Sequence, residues 1–328
     1  VGNAHDAGLA SGVTAVLCDA ATVAAASVFG GGPGTRELDA IGLAGSAGAA
    51  DAIVLSGGSA FGLDAAGGVQ SFLREQGRGF AVGPVRVPIV PQAILFDLLN
   101  GGNKDWGRHA PYRDMGYEAA RAAGEDFALG SAGAGLGATV AAGPGQRMRG
   151  GLGTASVCVT LPGEDQPVIV GALAAVNAVG AVTVADTPNF WAAPFEQGRE
   201  FGGLGIPSPW PETAALPHLK YAMPAASTTL CIVATDAAFP QAQCHRLSTM
   251  AGAGMARAIF PVFTPLDGDI VFALSTAKVQ LKAPFAALPF IGAAAANCLA
   301  RAIARGVYEA SGSLPDGTPA YRDLFAKA

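Results

Sequence analysis

Cysteine and histidine are scarce and scattered. The five cysteines (Cys18, Cys158, Cys231, Cys244, Cys298) form no CxxC pair and are odd in number, so no disulfide framework is expected. Most lie in apolar segments, as buried free thiols do. The four histidines, His5, His109, His218 and His245, stand far apart without HExxH-type spacing, and no metal is expected. Charge is thin too. Only 14% of residues are charged, the net is −5, and the 20 Lys and Arg form no basic run, which argues against a nucleic-acid surface. A clean membrane span is also missing. The nearest stretch, residues 168–185, is rich in Ala and Gly and interrupted by Asn177. It is expected to be a buried hairpin turning near residues 177–180. No secretory leader is visible, and the expected location is the cytoplasm.

What the chain has in quantity is apolar surface, 51% of its 328 residues, enough for a large core. Its 46 glycines are spread through apolar runs, which excludes disorder and collagen. No compositional break divides it, so residues 1–328 read as one compact α/β body. Strands are expected at 13–17, 22–28, 51–55, 155–161 and 270–275, and helices at about 59–74, 113–126, 240–259 and 290–310. Ser59 is expected to cap the first helix. Residues 87–97 carry Pro88 and Pro91 and read as an edge strand. Strand pairs followed by helices suggest stacked layers.

Three motifs are ambiguous. Gly57-Gly58-Ser59-Ala60-Phe61 approaches a G-x-S-x-G elbow, but Phe61 stands at the last glycine and no His/Asp partners are visible. Gly133-Ala-Gly135-Leu-Gly-Ala138 fits G-x-G-x-x-A, yet no strand precedes it and no acid follows about twenty residues on, so no nicotinamide cofactor is expected. Gly30-Gly31-Gly32-Pro33-Gly34 is either a tight turn or a place of close backbone approach.

The most informative stretch begins at Ser227-Thr228-Thr229. A strand starts there abruptly, after residues 187–227, which hold Trp191, Trp210 and seven prolines. So long a lead-in is unusual for a simple connection. Thr228 either just opens a strand, where Thr is favoured, or becomes a new N-terminus when the chain is cut. An N-terminal Thr is a complete small catalyst, its hydroxyl the nucleophile and its α-amine the base. That amine titrates at about 7.7–8.0 when unperturbed. Asp267-Gly268-Asp269, before the last strand, is either a solvated turn or a carboxylate pair that orients a hydroxyl and an ammonium.

Taken in order, several stretches resemble the DmpA-type aminopeptidase family, which includes β-aminopeptidases and nylon-oligomer hydrolases. They are Gly12-Val13-Thr14, residues 31–37 (GGPGTRE), residues 55–66 (LSGGSAFGLDAA), residues 87–91 (VPIVP), Gly133-Ala134-Gly135, residues 150–154 (GGLGT), residues 176–180 (VNAVG), Thr228-Thr229-Leu230 and Asp267-Gly268-Asp269. The resemblance implies a four-layer αββα sandwich, related to ornithine acetyltransferase, that cuts itself into residues 1–227 and 228–328. The two chains would stay together and assemble into a homo-oligomer, a tetramer or larger. It implies Thr228 as nucleophile after cleavage at Ser227–Thr228, Asn177 as oxyanion donor, and Asp267 and Asp269 as the acidic pair. The substrate class implied is a small amide or short peptide, with no cofactor. An acyltransferase is the near alternative, an uncut, non-catalytic binding homologue is the alternative of another class, and a dinucleotide-dependent oxidoreductase is a distant third. The chain departs from the family at three places: Ser227 where Asn is common, Ala142 where relatives carry Lys, and Gln92 near a substrate-binding Glu of the aminopeptidases.

Overall fold

A computed structural model describes residues 1–143, 145–220 and 227–325. Its longest strand, β2 (Ser11–Val28), runs through the segment in which two strands were expected. Asp19-Ala20, the turn expected between those two strands, do not turn the chain. They fall where the pairing register with the next strand shifts, between Leu17 and Thr22, and such an irregularity bends a strand without ending it. The first half of β2 pairs with β1 (Gly2–Asp6), and both halves touch β4 (Ala49–Ser56). The two-residue β3 (Thr35–Arg36) and the short β7 (Gln92–Ile94) extend that side. Between them in sequence lie helix α1 (Ala65–Glu75) and a separate ribbon, β5 (Phe80–Val82) with β6 (Val85–Val87). Helix α2 (Tyr112–Arg121) and the ribbon β8 (Thr139–Gly143) with β9 (Gln146–Arg149) follow.

The second half of the chain adds β10 (Gly151–Val159), β11 (Val168–Val176), β12 (Leu230–Ala237), helix α3 (Gln241–Ala256), β13 (Ile270–Val279), helix α4 (Pro284–Glu309) and the short α5 (Tyr321–Leu324). Strands β12 and β13 are parallel, which demands a crossover, and α3 is that crossover. The hydrogen-bonded order is β10-β11-β12-β13-β2-β4-β7-β3, and β2 serves both halves of the sheet.

Three separate apolar clusters define the layers. Leu247, Met255, Leu299 and Ile303 of α3 and α4 pack with Val170, Val233 and Val271 on one outer face. Val69 and Leu73 of α1 and Ala119 and Ala120 of α2 pack with Val13 and Val54 on the other. Between them Ile53, Leu55 and Leu95 meet Leu152, Leu230, Ile232 and Phe272, so the two halves of the sheet face each other. This is the expected αββα sandwich.

Some local expectations fail for identifiable reasons. Residues 168–185 make no hairpin. Both edges of β11 are already taken, by β10 and β12, so after Val176 the chain must leave the sheet. Ser59 caps nothing. It sits at φ 51° in a 3-10 turn (Ser59–Asp64), and α1 starts only at Ala65. Its Ala66 N–H is satisfied by Gln92 Oε1 at 2.9 Å. Helix α4 is long and apolar enough to cross a membrane, but most of it is buried as the core helix against β10 and β11.

Helix α4 lies so close to β10 that glycine is required where they touch. A Cβ on Gly153 would stand 2.1 Å from the carbonyl oxygen of Ala302. Gly153→Ala is therefore expected to lower stability by about 1–3 kcal/mol, read as a fall in urea midpoint at unchanged m-value.

Candidate active site

Register brings the expected residues together. Ala175 is paired with Leu230 and Leu230 with Ile270, so the exit of β11 and the entrances of β12 and β13 lie side by side. Asn177 leaves the first, Thr228 enters the second, and Asp267 and Asp269 enter the third. All four are buried, Thr228 being only 3% exposed. The Thr228 N–H donates to Asn177 O (2.9 Å), and Gly268 N–H donates to Ser227 O (2.8 Å). Thr228 Oγ1 donates to that same Ser227 oxygen (2.5 Å). The Ser227–Thr228 peptide is thus held from both sides, with the threonine hydroxyl against the carbonyl of its own peptide bond.

The carboxylates are held by the protein itself. Asp267 Oδ1 accepts from Val179 N–H (3.1 Å) and its Oδ2 from the Thr264 hydroxyl (2.7 Å). Asp269 Oδ1 accepts from Thr229 N–H (2.8 Å) and Oδ2 from Phe263 N–H (3.1 Å). The Asp-Gly-Asp turn is therefore buried, not solvated. The glycine run packs directly on it: a Cβ at Gly30 would lie 2.1 Å from Asp267 O, and Gly32 N–H donates to that oxygen at 2.8 Å. Close backbone approach, not a free turn, is the use of that motif.

Asn177 Oδ1 accepts from Thr139 N–H (3.0 Å), and Asn177 Nδ2 donates one hydrogen to Phe96 O (3.1 Å). Gln92 does not join the site. It is fully buried, with Nε2 donating to Gly62 O (2.6 Å) and Ser56 Oγ (3.2 Å). Ala142 carries no cation, as its type dictates, but the site has one that sequence reasoning missed. Lys220, 1% exposed, reaches in from the Pro-rich segment, and its Nζ donates to Thr139 O (3.0 Å), Thr139 Oγ1 (3.2 Å), Asn177 O (3.3 Å) and Asn177 Oδ1 (3.1 Å). A lone Lys between Leu219 and Tyr221 gives no periodicity or spacing to find it by. The Gly268 N–H was missed likewise, being a backbone group. The expected G-x-G-x-x-A motif is spent elsewhere: Ala134 N–H donates to Thr14 Oγ1 (3.1 Å) and Gly133 N–H to His5 Nδ1 (3.3 Å). Among the described residues no cluster of His, Cys, Asp and Glu could hold a metal ion.

Burial displaces the titrations of this site. Desolvation, reinforced by Asp267, pushes the Asp269 carboxyl up to about 8. Desolvation pulls the Lys220 ammonium down to about 7, against the attraction of Asp267 and Asp269. Between pH 4 and 8 the folded chain keeps a proton on Asp269 that the unfolded chain releases, so stability falls as pH rises. Between pH 7 and 10.5 the unfolded chain holds a proton that Lys220 has lost, so stability rises. The two groups together place their minimum of stability near pH 7–8. In a Thr228→Ala background, Asp269→Asn is expected to flatten the fall between pH 5 and 7, measured by urea unfolding across pH.

The Peptidase family S58 model matches residues 1–315. The chain is 43% identical over 337 residues to the uncharacterized aminopeptidase Rv1333 of Mycobacterium tuberculosis, covering 98% of this chain and 92% of that one. It is 41% identical to the uncharacterized aminopeptidase ML1167 of Mycobacterium leprae, covering 98% and 88%. Among solved structures, the PH0078 protein from Pyrococcus horikoshii OT3 superposes with a TM-score of 0.68 at 23% identity, covering 98% of this chain and 88% of that chain. The β-aminopeptidase of a Burkholderia species superposes at 0.65 and 21% identity, covering 98% and 86%. The chain therefore belongs to peptidase family S58, the DmpA-type aminopeptidases, and is a hydrolase of the peptidase class.

Proposed function

We propose that the chain cuts itself between Ser227 and Thr228 and that Thr228 then serves as the N-terminal nucleophile of an amidohydrolase or aminopeptidase for small amides and short peptides. The observation that carries this reading is the double hold on Ser227 O, by the Thr228 hydroxyl at 2.5 Å and the Gly268 N–H at 2.8 Å. The N–H polarises the carbonyl and faces the oxygen on which negative charge develops. In the cut, Thr228 Oγ1 bonds to the Ser227 carbonyl carbon. The C–N bond breaks, the hydroxyl proton passes to the departing nitrogen, and an ester remains. Water opens the ester to a Ser227 carboxylate and a free Thr228 with its α-amine.

That amine, beside Asn177 O, is the base for the next attack. Thr228 Oγ1 adds to a substrate amide, the amine takes its proton and returns it to the leaving nitrogen, and water releases the acyl group. The branched side chain restricts χ1 and helps to aim the hydroxyl. Asn177 Nδ2 has a second hydrogen for the substrate oxyanion, its first being held by Phe96 O. Asp267 and Asp269 shape the site by clamping Val179, Thr229 and Phe263 around the nucleophile.

Intact mass under denaturing conditions tests the cut. The wild-type protein is expected to give fragments of residues 1–227 and 228–328, and Thr228→Ala a single chain. An uncut wild-type protein after long incubation would sink the reading. Asn177→Ala is expected to lower kcat on aminoacyl p-nitroanilides by on the order of 10²–10³, and an unchanged kcat would remove Asn177 from the oxyanion site.

A further inference from the structure

The core between the two halves of the sheet is open at the end away from Thr228. Strand β2 changes register between Leu17 and Thr22, and beside that break lies a cavity of about 340 Å³. A second cavity of about 180 Å³ adjoins it. The two share Val16, Ala234 and Leu274, and the second runs on to Phe127, Leu173 and Ile232. Leu173, Ile232 and Leu274 belong to the apolar cluster between the sheet halves, and Val16, Phe127 and Ala234 pack against it. Protein interiors are close-packed, with few voids larger than a water molecule. An apolar opening of this size in a core layer is therefore uncommon, and it reaches the lower end of the range of small-molecule sites.

The mouth of the larger cavity is held in place by the protein. Arg78 donates to Cys18 O and the Thr22 hydroxyl to Ala20 O (2.9 Å), which pins both ends of the irregular segment of β2. Asp19 and Lys278 line the mouth, with Asp19 Oδ2 3.9 Å from Lys278 Nζ. Their side chains are 97% and 69% exposed, and so exposed an ion pair binds its own members weakly. One carboxylate and one ammonium thus stand side by side at the entrance to an apolar chamber.

We propose that this cavity binds a free amino acid with an apolar side chain, its ammonium on Asp19, its carboxylate on Lys278 and its side chain between the sheets. A fatty acid would bring its carboxylate to Lys278 but also against Asp19, and an alkylamine would meet the reverse conflict. A zwitterion carries both charges on one carbon and answers both groups. The side chain gains by leaving water for Val16, Ala234 and Leu274. Ala234 stands about 20 Å along the strand direction from Thr228, so the cavity is separate from the candidate active site. A free amino acid is also what an aminopeptidase releases. A role as a product site rests on the reading of Thr228 above, whereas the binding itself does not.

Titration calorimetry and thermal melting of full-length Thr228→Ala test the binding, because in that variant the bond after Ser227 stays closed and its site stays filled. L-Leucine is the probe. It is expected to bind on the order of 10- to 100-fold tighter than glycine, which has the charges without the side chain. Isocaproic acid and isoamylamine each lack one of the charges and should bind about tenfold more weakly than leucine, the scale of one charge-assisted contact. In the same background Lys278→Glu should weaken leucine at least as much. Ala234→Leu fills the cavity and should abolish binding while the melting temperature holds or rises. Leucine that gives neither heat nor a higher melting temperature up to its solubility limit overturns the proposal, as does leucine no tighter than glycine. Isocaproic acid matching leucine overturns the zwitterion. Leucine binding unchanged by Lys278→Glu and by Ala234→Leu lies elsewhere and overturns the site; should Ala234→Leu not fold, the surface change Lys278→Glu decides alone. A wild-type protein that never cuts would instead strike the Thr228 reading, and with it only the role as a product site.

Discussion

The structure depends on one constraint, the register that ties the end of β11 to the starts of β12 and β13. Thr228 N–H bonds Asn177 O, and Ser227 O receives Gly268 N–H, so two sheet-like hydrogen bonds clamp a single peptide unit. These bonds continue the ladders that bury Leu230, Cys231, Val233, Val271 and Phe272 in the two cores on either side of the strands. Slipping the register by one residue would turn every one of these side chains to the wrong layer. Core packing therefore guards the position of Thr228, and the geometry around the Ser227–Thr228 peptide is inherited from apolar burial.

The same arrangement explains why so much polarity can be placed out of water. Every Asp267 and Asp269 oxygen has a donor, mostly backbone N–H, and Lys220 is surrounded by oxygens. A buried charge is tolerated only when paired and hydrogen-bonded. Here the backbone N–H groups of Val179, Thr229 and Phe263 and the Thr264 hydroxyl meet that condition for the carboxylates, and Gly30 and Gly32 let a further segment lie flat on the backbone of the Asp-Gly-Asp turn. The cost appears in the displaced titrations of Asp269 and Lys220, and displaced groups of this kind cluster where chemistry is done.

Residues 187–220 form no strand or α-helix among the described residues, yet they are not loosely attached. Phe190 stacks near Tyr321 with ring centroids 4.7 Å apart, and Trp191 meets Trp210 and Phe260 edge-on. The aromatic anchors carry the segment across the molecule and deliver Lys220 beside Asn177. A Pro-rich composition said only that regular structure was unwelcome there, not where the segment would end.

Much of the fold was legible because burial is periodic. The apolar runs of β2, β4, β11, β12 and β13 and the helical spacing in α3 and α4 announce layers, and the ordered motifs point to Asn177, Thr228, Asp267 and Asp269. Local signals failed where a distant partner decided the outcome. Ser59 looked like a cap, but Gln92 supplies the acceptor for Ala66. The run after Asn177 looked like a returning strand, but both edges of β11 were occupied. Ala142 marked a missing lysine, while Lys220 arrives from another part of the chain. The sequence by itself determined the layers, the family and the candidate nucleophile, since residue type and order encode burial and motif. Only the tertiary structure decided which backbone N–H faces Ser227 O and which cation stands by Asn177, because such contacts depend on strand register and segment path, which no local pattern records.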